Sequence, residues 1–243
     1  MTQLYSSLAN LYHEMYQHIF DYDKEYDFYD SLLKRNRCQK ILEIGCGTGM
    51  LARRFIKGGY DYLGLDLFHE MLDIARSEVK SGNFIQGDMR SLSFHRQFDS
   101  VLITGRSLAY ITENKGILDT LTGIHNALKD KGVLVFGVFD ANGIFAKFND
   151  FEQEIEHNNK KIRRLSSLKK NLETGWTYDW HARYIMEQDG KCSEFDDTTT
   201  LRAFTKDEIL LFLKLTEFEI KDIIEEEKAF TLVSEKINPS KKG

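Results

Sequence analysis

The sequence predicts a three-layer α/β fold: a seven-stranded, mostly parallel sheet with an antiparallel last strand, interrupted by an antiparallel β cap. Three observations carry this expectation. From Lys40 to Phe139 short apolar runs alternate with amphipathic helical stretches, the pattern of parallel βαβ units. Val133 to Phe139 is apolar almost throughout, which suits a central strand covered on both faces. Between Asn142 and Ala203 the pattern changes to polar stretches carrying aromatic residues, with a hairpin signal at Asp189-Gly190.

The elements follow in order. Leu4, Leu8, Leu11, Met15 and Ile19 recur every three or four residues and mark one face of a helix. Tyr5, Tyr12 and Tyr16 flank that face. A second helix is expected over Tyr26 to Lys34; both helices precede the first strand, Lys40 to Ile44, and so should pack as a lid or flank. Next come a helix at Met50–Lys57, a strand at Tyr62–Leu67, a helix at Glu70–Lys80 and a short strand at Asn83–Gln86. The strand Phe98–Thr104 leads to a helix striped by Ile117, Leu121, Ile124 and Leu128, and then to Val133–Phe139. After the cap, a helix from about Lys206 to Leu215 precedes a strand from Phe218 and a final one around Phe230–Val233, with Glu225–Lys228 turning between them. The expected units are a helical lid over 1–38, a core over 39–141 and 204–237, a cap over 142–203, and a disordered tail from 238 to 243.

Bulk composition bounds the function. The 243 residues suit one domain with an insertion. A net charge of −5 gives no electrostatic footprint for phosphate backbones, so nucleic acid is not an expected partner. The basic run Lys160–Lys170 reads as a solvated face. Three cysteines, none in a Cys-x-x-Cys pair, point to a reducing, cytoplasmic compartment. The N-terminus lacks the basic-then-apolar pattern of a leader, and no apolar run approaches the ~20 residues that span a bilayer. No membrane partner and no metal are expected; a homodimer is left open.

The first strand runs into Glu43-Ile44-Gly45-Cys46-Gly47-Thr48-Gly49 and then a helix. Glycines there let the backbone turn sharply and let a ligand approach main-chain atoms. A dinucleotide fingerprint would place its third glycine at position 50, which is Met50; the glycines instead fall on every second residue. Asp66 closes the second strand, about the ~20-residue separation that sets a carboxylate against ribose hydroxyls in related nucleotide folds. Its competing role is to cap the helix that follows. Cys46 sits in a glycine turn with no positioned histidine, so it is not read as a nucleophile.

Acid-x-Gly-x-Gly-x-Gly at a strand end, Asp66 after it, and Gly87-Asp88-Met89-Arg90 after the third strand resemble the cofactor site of class I, Rossmann-like S-adenosylmethionine-dependent methyltransferases. Over nearly the whole chain the layout is similar to small-molecule N-methyltransferases, especially those that dimethylate amino sugars. The shared marks are Tyr5 and Tyr12, the two glycine motifs, a Ser107-containing fourth loop, and Arg202-Ala-Phe-Thr205. The resemblance implies S-adenosylmethionine as donor, S-adenosylhomocysteine as product and a small-molecule acceptor, most simply an amine. It implies that Glu43, with Gly45, Cys46, Gly47, Gly49 and Thr104, serves the methionine end. Asp66 and Leu67 then serve the ribose, and Met71, Asp88 and Met89 the adenine. Tyr12 approaches the donor and Tyr5 the acceptor. Tyr110 stands where amino-sugar enzymes carry a histidine near the amine, and with Tyr12 is the candidate catalytic residue. Arg106 and Ser107 of the fourth loop, and Trp176, Trp180 and His181 of the cap, are candidates for acceptor contacts; for His181 an ordinary strand position is the competing reading. Two alternatives stay open: a catalytically silent binding subunit, and an O-methyltransferase. The fourth loop, Thr104-Gly105-Arg106-Ser107, lacks the Asn/Asp-Pro-Pro-aromatic signature of DNA amino-methylating enzymes.

Overall fold

The computed structural model describes residues 2–157 and 159–237. The first helices, α1 (Ala9–Ile19) and α2 (Tyr22–Arg35), precede β1 (Lys40–Ile44). Then come α3 (Met50–Lys57), β2 (Asp61–Asp66), α4 (His69–Glu78), β3 (Phe84–Gln86), β4 (Phe98–Ile103), α5 (Asn114–Ala127) and β5 (Leu128–Phe139). A short α6 (Ala141–Ala146) opens the insertion, whose strands are β6 (Phe151–His157), β7 (Lys160–Lys170), β8 (Trp176–Gln188) and β9 (Lys191–Ala203). The chain returns through α7 (Lys206–Leu215), β10 (Phe218–Glu225) and β11 (Ala229–Lys236). The tail from 238, expected to be disordered, lies outside the described residues.

The main sheet has the order β10-β11-β5-β4-β1-β2-β3. β11 runs antiparallel to both neighbours, while the other pairings are parallel. The antiparallel strand is the last in the chain, as the sequence predicts, but β10 lies outside it at the edge. One face of the sheet packs Leu42, Val101 and Leu134 against Ile117, Leu121 and Ile124 of α5 and Ile209 and Leu213 of α7. The other packs Ile41, Leu102 and Val135 against Leu32 and Leu33 of α2, Phe55 of α3 and Leu72 of α4. Burial on both faces explains why these strands read as continuous apolar runs.

Strands β2 to β4 and helix α4 shift by one or two residues at their ends, and three further boundaries differ for identifiable local reasons. Leu4 and Leu8 share the buried face of α1 but sit in turns, and the helix begins at Ala9. The second helix starts four residues early, at Tyr22, because the Asp21 carboxylate accepts from the Lys24 amide and supplies its cap. Leu128, expected to complete the α5 stripe, begins β5; it stays buried, so its periodicity alone could not tell the two apart.

The insertion is a separate antiparallel sheet, β6-β7-β8-β9. Its Gln188–Lys191 pairing closes the hairpin around Asp189-Gly190, both at positive φ. Ile162, Tyr178, Trp180, Tyr184 and Leu201 on its inner face form one cluster with Leu4, Leu8, Leu11 and Met15. The N-terminal segment is thus packed on the cap rather than on the sheet.

Candidate active site

Strand order reverses between β2-β1 and β4-β5, and in open α/β sheets the crevice beyond the strands' carboxyl ends at such a switch point is where ligands bind. Here a cavity of about 630 Å³ opens at that point. Its floor is Glu43 and the loop Gly45, Cys46, Gly47 and Thr48, with Thr104 and Arg106 beyond β4. Gly45, Gly47 and Gly49 all have positive φ, where a side chain is strained. At Gly45 a Cβ would also lie 2.3 Å from Ser107 Oγ. At Gly47 only the Met71 terminal methyl, at 3.4 Å, would touch an added Cβ, so the loop backbone stays open to the cavity.

Two carboxylates hold this end. Glu43, 1% exposed, accepts from the Tyr62 hydroxyl at 2.5 Å and the Thr104 hydroxyl at 2.8 Å. Burial pushes its carboxyl up to about 8, against the pull of those two hydrogen bonds. Asp66 is buried too; it accepts from the Gly47 amide at 2.9 Å and the Phe68 amide at 3.0 Å, and burial raises it despite those donors. It therefore ties the glycine loop to Phe68, the N-cap residue of α4, without itself capping that helix.

The roof is the N-terminal segment. The Tyr5 hydroxyl lies 2.6 Å from that of Tyr110, and the Tyr5 ring packs edge-on against both Tyr12 and Tyr110. Tyr12 stacks on Tyr16 at 4.1 Å. His13 bonds to the Thr48 hydroxyl at 3.0 Å, the Asp197 carboxylate accepts from Thr2 and from the Gln3 amide, and Lys160 of β7 pairs with Glu14. Core and cap thus each grip the segment. Burial raises the hydroxyls of Tyr5, Tyr12 and Tyr110 above the ordinary tyrosine value; neighbours raise Tyr5 and Tyr12 further, whereas the hydrogen bond with Tyr5 draws Tyr110 partly back. All three stay protonated at neutral pH.

The cavity brings together Tyr5, Tyr12, Glu43, Gly45, Cys46, Gly47, Thr104, Arg106, Tyr110 and Trp180. Other sequence candidates stand elsewhere. Gly49 caps α3. Asp66, Leu67, Met71, Asp88 and Met89 lie along the carboxyl edge of β2 and β3 outside this cavity, Leu67 exposed and Met71 buried. Asp88 is gripped by Arg90 at 2.5 Å, whose guanidinium pulls its carboxyl down. Ser107 buttresses Gly45 and donates to the Thr104 carbonyl at 2.8 Å. Trp176 is exposed at the strand end, edge-on to Phe145. His181, a candidate beside Trp180 for which an ordinary strand position is the favoured reading, points away from the cavity, because successive strand residues alternate faces. Its side chain is 41% exposed and pairs with Asp196 at 2.9 Å.

Alternation also corrects the basic run. Ile162, Arg164 and Ser166 are buried on the inner face of β7, and only the intervening residues meet solvent. Arg164 lines the cavity and donates to the Tyr16 hydroxyl at 2.8 Å. Tyr16, Thr48 and Arg164 were not read as site residues from sequence; the period-two pattern of 160–168 was the available signal for Arg164.

A glycine loop after β1, a carboxylate closing β2 and a seventh strand run antiparallel into a parallel sheet make up the Rossmann-like, class I methyltransferase fold, and the chain carries a methyltransferase domain. Residues 41–132, which hold the loop and both carboxylates, match the family described as a methyltransferase domain. In sequence the chain is similar to YqeM of Bacillus subtilis (strain 168), named as a methyltransferase, at 32% identity over 151 residues. That match spans 60% of this chain and 60% of the relative's length. Other relatives carry names of both N- and O-methyltransferases. In structure the chain is similar to the sugar N-methyltransferase KedS8 from Streptoalloteichus, with a TM-score of 0.82 at 20% identity over 93% of each chain. It is also similar to S-adenosylmethionine-bound CalS10, an amino pentose methyltransferase from Micromonospora echinaspora, with a TM-score of 0.79 at 18% identity over 93% of this chain and 97% of that one. Among the described residues no helix is long and apolar enough to cross a membrane.

The residues present fit the donor. An open glycine backbone beside the buried Glu43 carboxyl suits an amino-acid end, whose ammonium would favour that carboxyl's ionised form, and Asp66 at the end of β2 carries acceptor oxygens of the kind a ribose diol needs.

Proposed function

We propose that the chain transfers a methyl group to the nitrogen of a small-molecule amine by direct in-line displacement. The observation that carries this reading is the Tyr5–Tyr110 hydroxyl pair, neutral and hydrogen-bonded, on the wall of the cavity that Glu43 and Thr104 close. Bound S-adenosylmethionine supplies a sulfonium methyl that is already electrophilic, so alignment and exclusion of water are the main tasks left.

The chain's own residues suit those tasks. Each tyrosine hydroxyl can accept from an N–H and so turn an amine lone pair toward its target. Neither is a phenolate base at neutral pH. An amine brings its own lone pair, whereas an alcohol needs a base to remove its proton. No histidine lines the cavity among the described residues, and three of its carboxylates are engaged: Glu43 by Tyr62 and Thr104, Glu226 by Arg106, Glu227 by Lys147. Glu25 remains, raised by burial, and is the group on which O-methylation would depend. The N-terminal segment and the cap shield the cavity.

The test is turnover of S-adenosylmethionine with matched panels of small amines and alcohols, followed by S-adenosylhomocysteine release and product mass. N-methyl products are expected, with Tyr110→Phe slowing turnover roughly three- to tenfold, the loss of one hydrogen bond of about 1 kcal/mol. Turnover confined to alcohols and abolished by Glu25→Gln would overturn the amine reading. Tight S-adenosylhomocysteine binding without turnover on any panel would favour the silent subunit.

A further inference from the structure

Three arginines of this chain reach into its interior near the site, and two of them have carboxylate partners. Arg202, 1% exposed, pairs with Glu208 and donates to the Asn114 amide oxygen at 2.6 Å and the Thr112 carbonyl at 2.7 Å. Arg106 pairs with Glu226 at 2.8 Å. Arg164, 6% exposed on the inner face of β7, has no ion pair among the described residues. Among the described residues its hydroxyl neighbours are neutral: Tyr16, to which it donates at 2.8 Å, and Tyr184. The buried carboxylate on the same face of the cap, Asp197, is taken up by Thr2 and the Gln3 amide.

A buried cation without a counter-charge is costly. Three aromatic rings offset part of that cost: the guanidinium carbon lies 5.7 Å from the centroids of Tyr16 and Phe151 and 5.4 Å from that of Trp180. Stacking engages the faces of the guanidinium and leaves its in-plane donors, which are the ones that match an oxyanion. The Arg164 Nε and the Trp180 indole N–H are both buried donors without a partner. The Gln153 side-chain oxygen, opposite Arg164 in the β6–β7 register, is also unpartnered; one amide oxygen neutralises no charge. Arg164 and Trp180 both line the cavity whose other end is Glu43. The cationic end of the cavity therefore lies in the cap, away from the glycine loop.

We propose that Arg164, with the indole N–H of Trp180, receives an oxyanion on the methyl acceptor, a carboxylate or a phosphate, so that the acceptor is an amine carrying a negative charge. This rests on the small-molecule amine reading above, deepens it, and assigns Arg164 as a specificity-determining residue. Unlike Arg202, whose charge is met within the protein, Arg164 is completed by its ligand.

The test measures binding rather than turnover, so it stands apart from the amine reading. The protein, saturated with S-adenosylhomocysteine, is titrated calorimetrically with inorganic phosphate, with propionate and with the uncharged isostere propionamide. The expected result is saturable binding of an anion and none of the amide, with Arg164→Gln weakening the anion roughly ten- to a hundredfold, as for loss of a charge-assisted hydrogen bond, and S-adenosylhomocysteine affinity unchanged. Phosphate binding more tightly than propionate would identify a phosphate ester, and the reverse a carboxylate. Arg164→Lys, which keeps the charge, guards against a folding defect and should retain part of the affinity. Equal binding of amide and anions, binding of neither anion, or unchanged anion affinity in a folded Arg164→Gln protein would overturn the proposal.

Discussion

The two ends of the cavity are built by different means. The end proposed for the donor comes from one contiguous stretch: β1 delivers Glu43, the loop turns on three glycines, and Asp66 closes the next strand. Its polar contacts are to backbone amides and to hydroxyls one strand away. The acceptor end comes from the N-terminal turn, the loop after β4 and the cap, brought together across more than a hundred residues. Its contacts are between side chains, as in Arg164 with Tyr16 and Tyr5 with Tyr110. A backbone-built site tolerates few alternatives at its glycines, while a side-chain-built site can change its ligand by single substitutions on a fixed frame.

This contrast can be broken at either end. The largest effect is expected at Gly45, where a Cβ meets both positive φ and Ser107. Gly45→Ala should cost roughly 2 to 4 kcal/mol of strain and overpacking, lowering the melting temperature and weakening S-adenosylhomocysteine about a hundredfold by calorimetry. A variant that binds normally would mean that the loop is not the donor cradle. Next, Asp66→Ala leaves the Gly47 and Phe68 amides without their acceptor. Stability should fall by about 1 to 3 kcal/mol even without ligand, measured by urea unfolding; a loss seen only in ligand affinity would separate the ribose role from the loop-holding one.

A third prediction concerns pH. In the folded chain Glu43 keeps its proton up to about 8, whereas the unfolded carboxyl ionises near its ordinary 4.5. Folding therefore takes up a proton in that window, and Glu43's contribution to stability falls as pH rises through it. His13 and His125, lowered by burial, act in the opposite sense at their own, lower pKa values. The informative comparison is with Glu43→Gln, whose unfolding free energy should decline less between about pH 5 and about pH 8.5. If the two profiles are parallel, the carboxylate is ionised in the free protein. The smallest effect is expected at His181, exposed and paired with Asp196: His181→Ala should change stability by at most ~1 kcal/mol and leave turnover untouched, and a marked loss of turnover would return it to the acceptor site.

Helices α3 and α7 and strand β1 were legible to the residue, because their periodic faces and the glycine and threonine boundaries are local signals. Boundaries moved where the deciding interaction was a cap, as with Asp21, or where burial alone did not distinguish helix from strand, as at Leu128. For the site, a motif in one βαβ unit announced Glu43, the glycines and Asp66. The cap was harder, because choosing the face of a strand needs its register against a packed partner, and a one-residue error reverses it; Trp180 and His181 are neighbours in sequence and lie on opposite faces.

By itself, then, the sequence determined what adjacent residues decide: the order of strands and helices, the strained glycine turn, and the acids that end two strands. The tertiary structure alone decided what depends on distant segments meeting. It set the Tyr5–Tyr110 pair, gave Asp66 its hold on the glycine loop, and turned a stretch that reads as solvated into one that buries Arg164 with no ion pair among the described residues. The physical reason is range. Backbone conformation answers to near neighbours along the chain, whereas burial and charge pairing answer to whatever the fold places within a few ångströms.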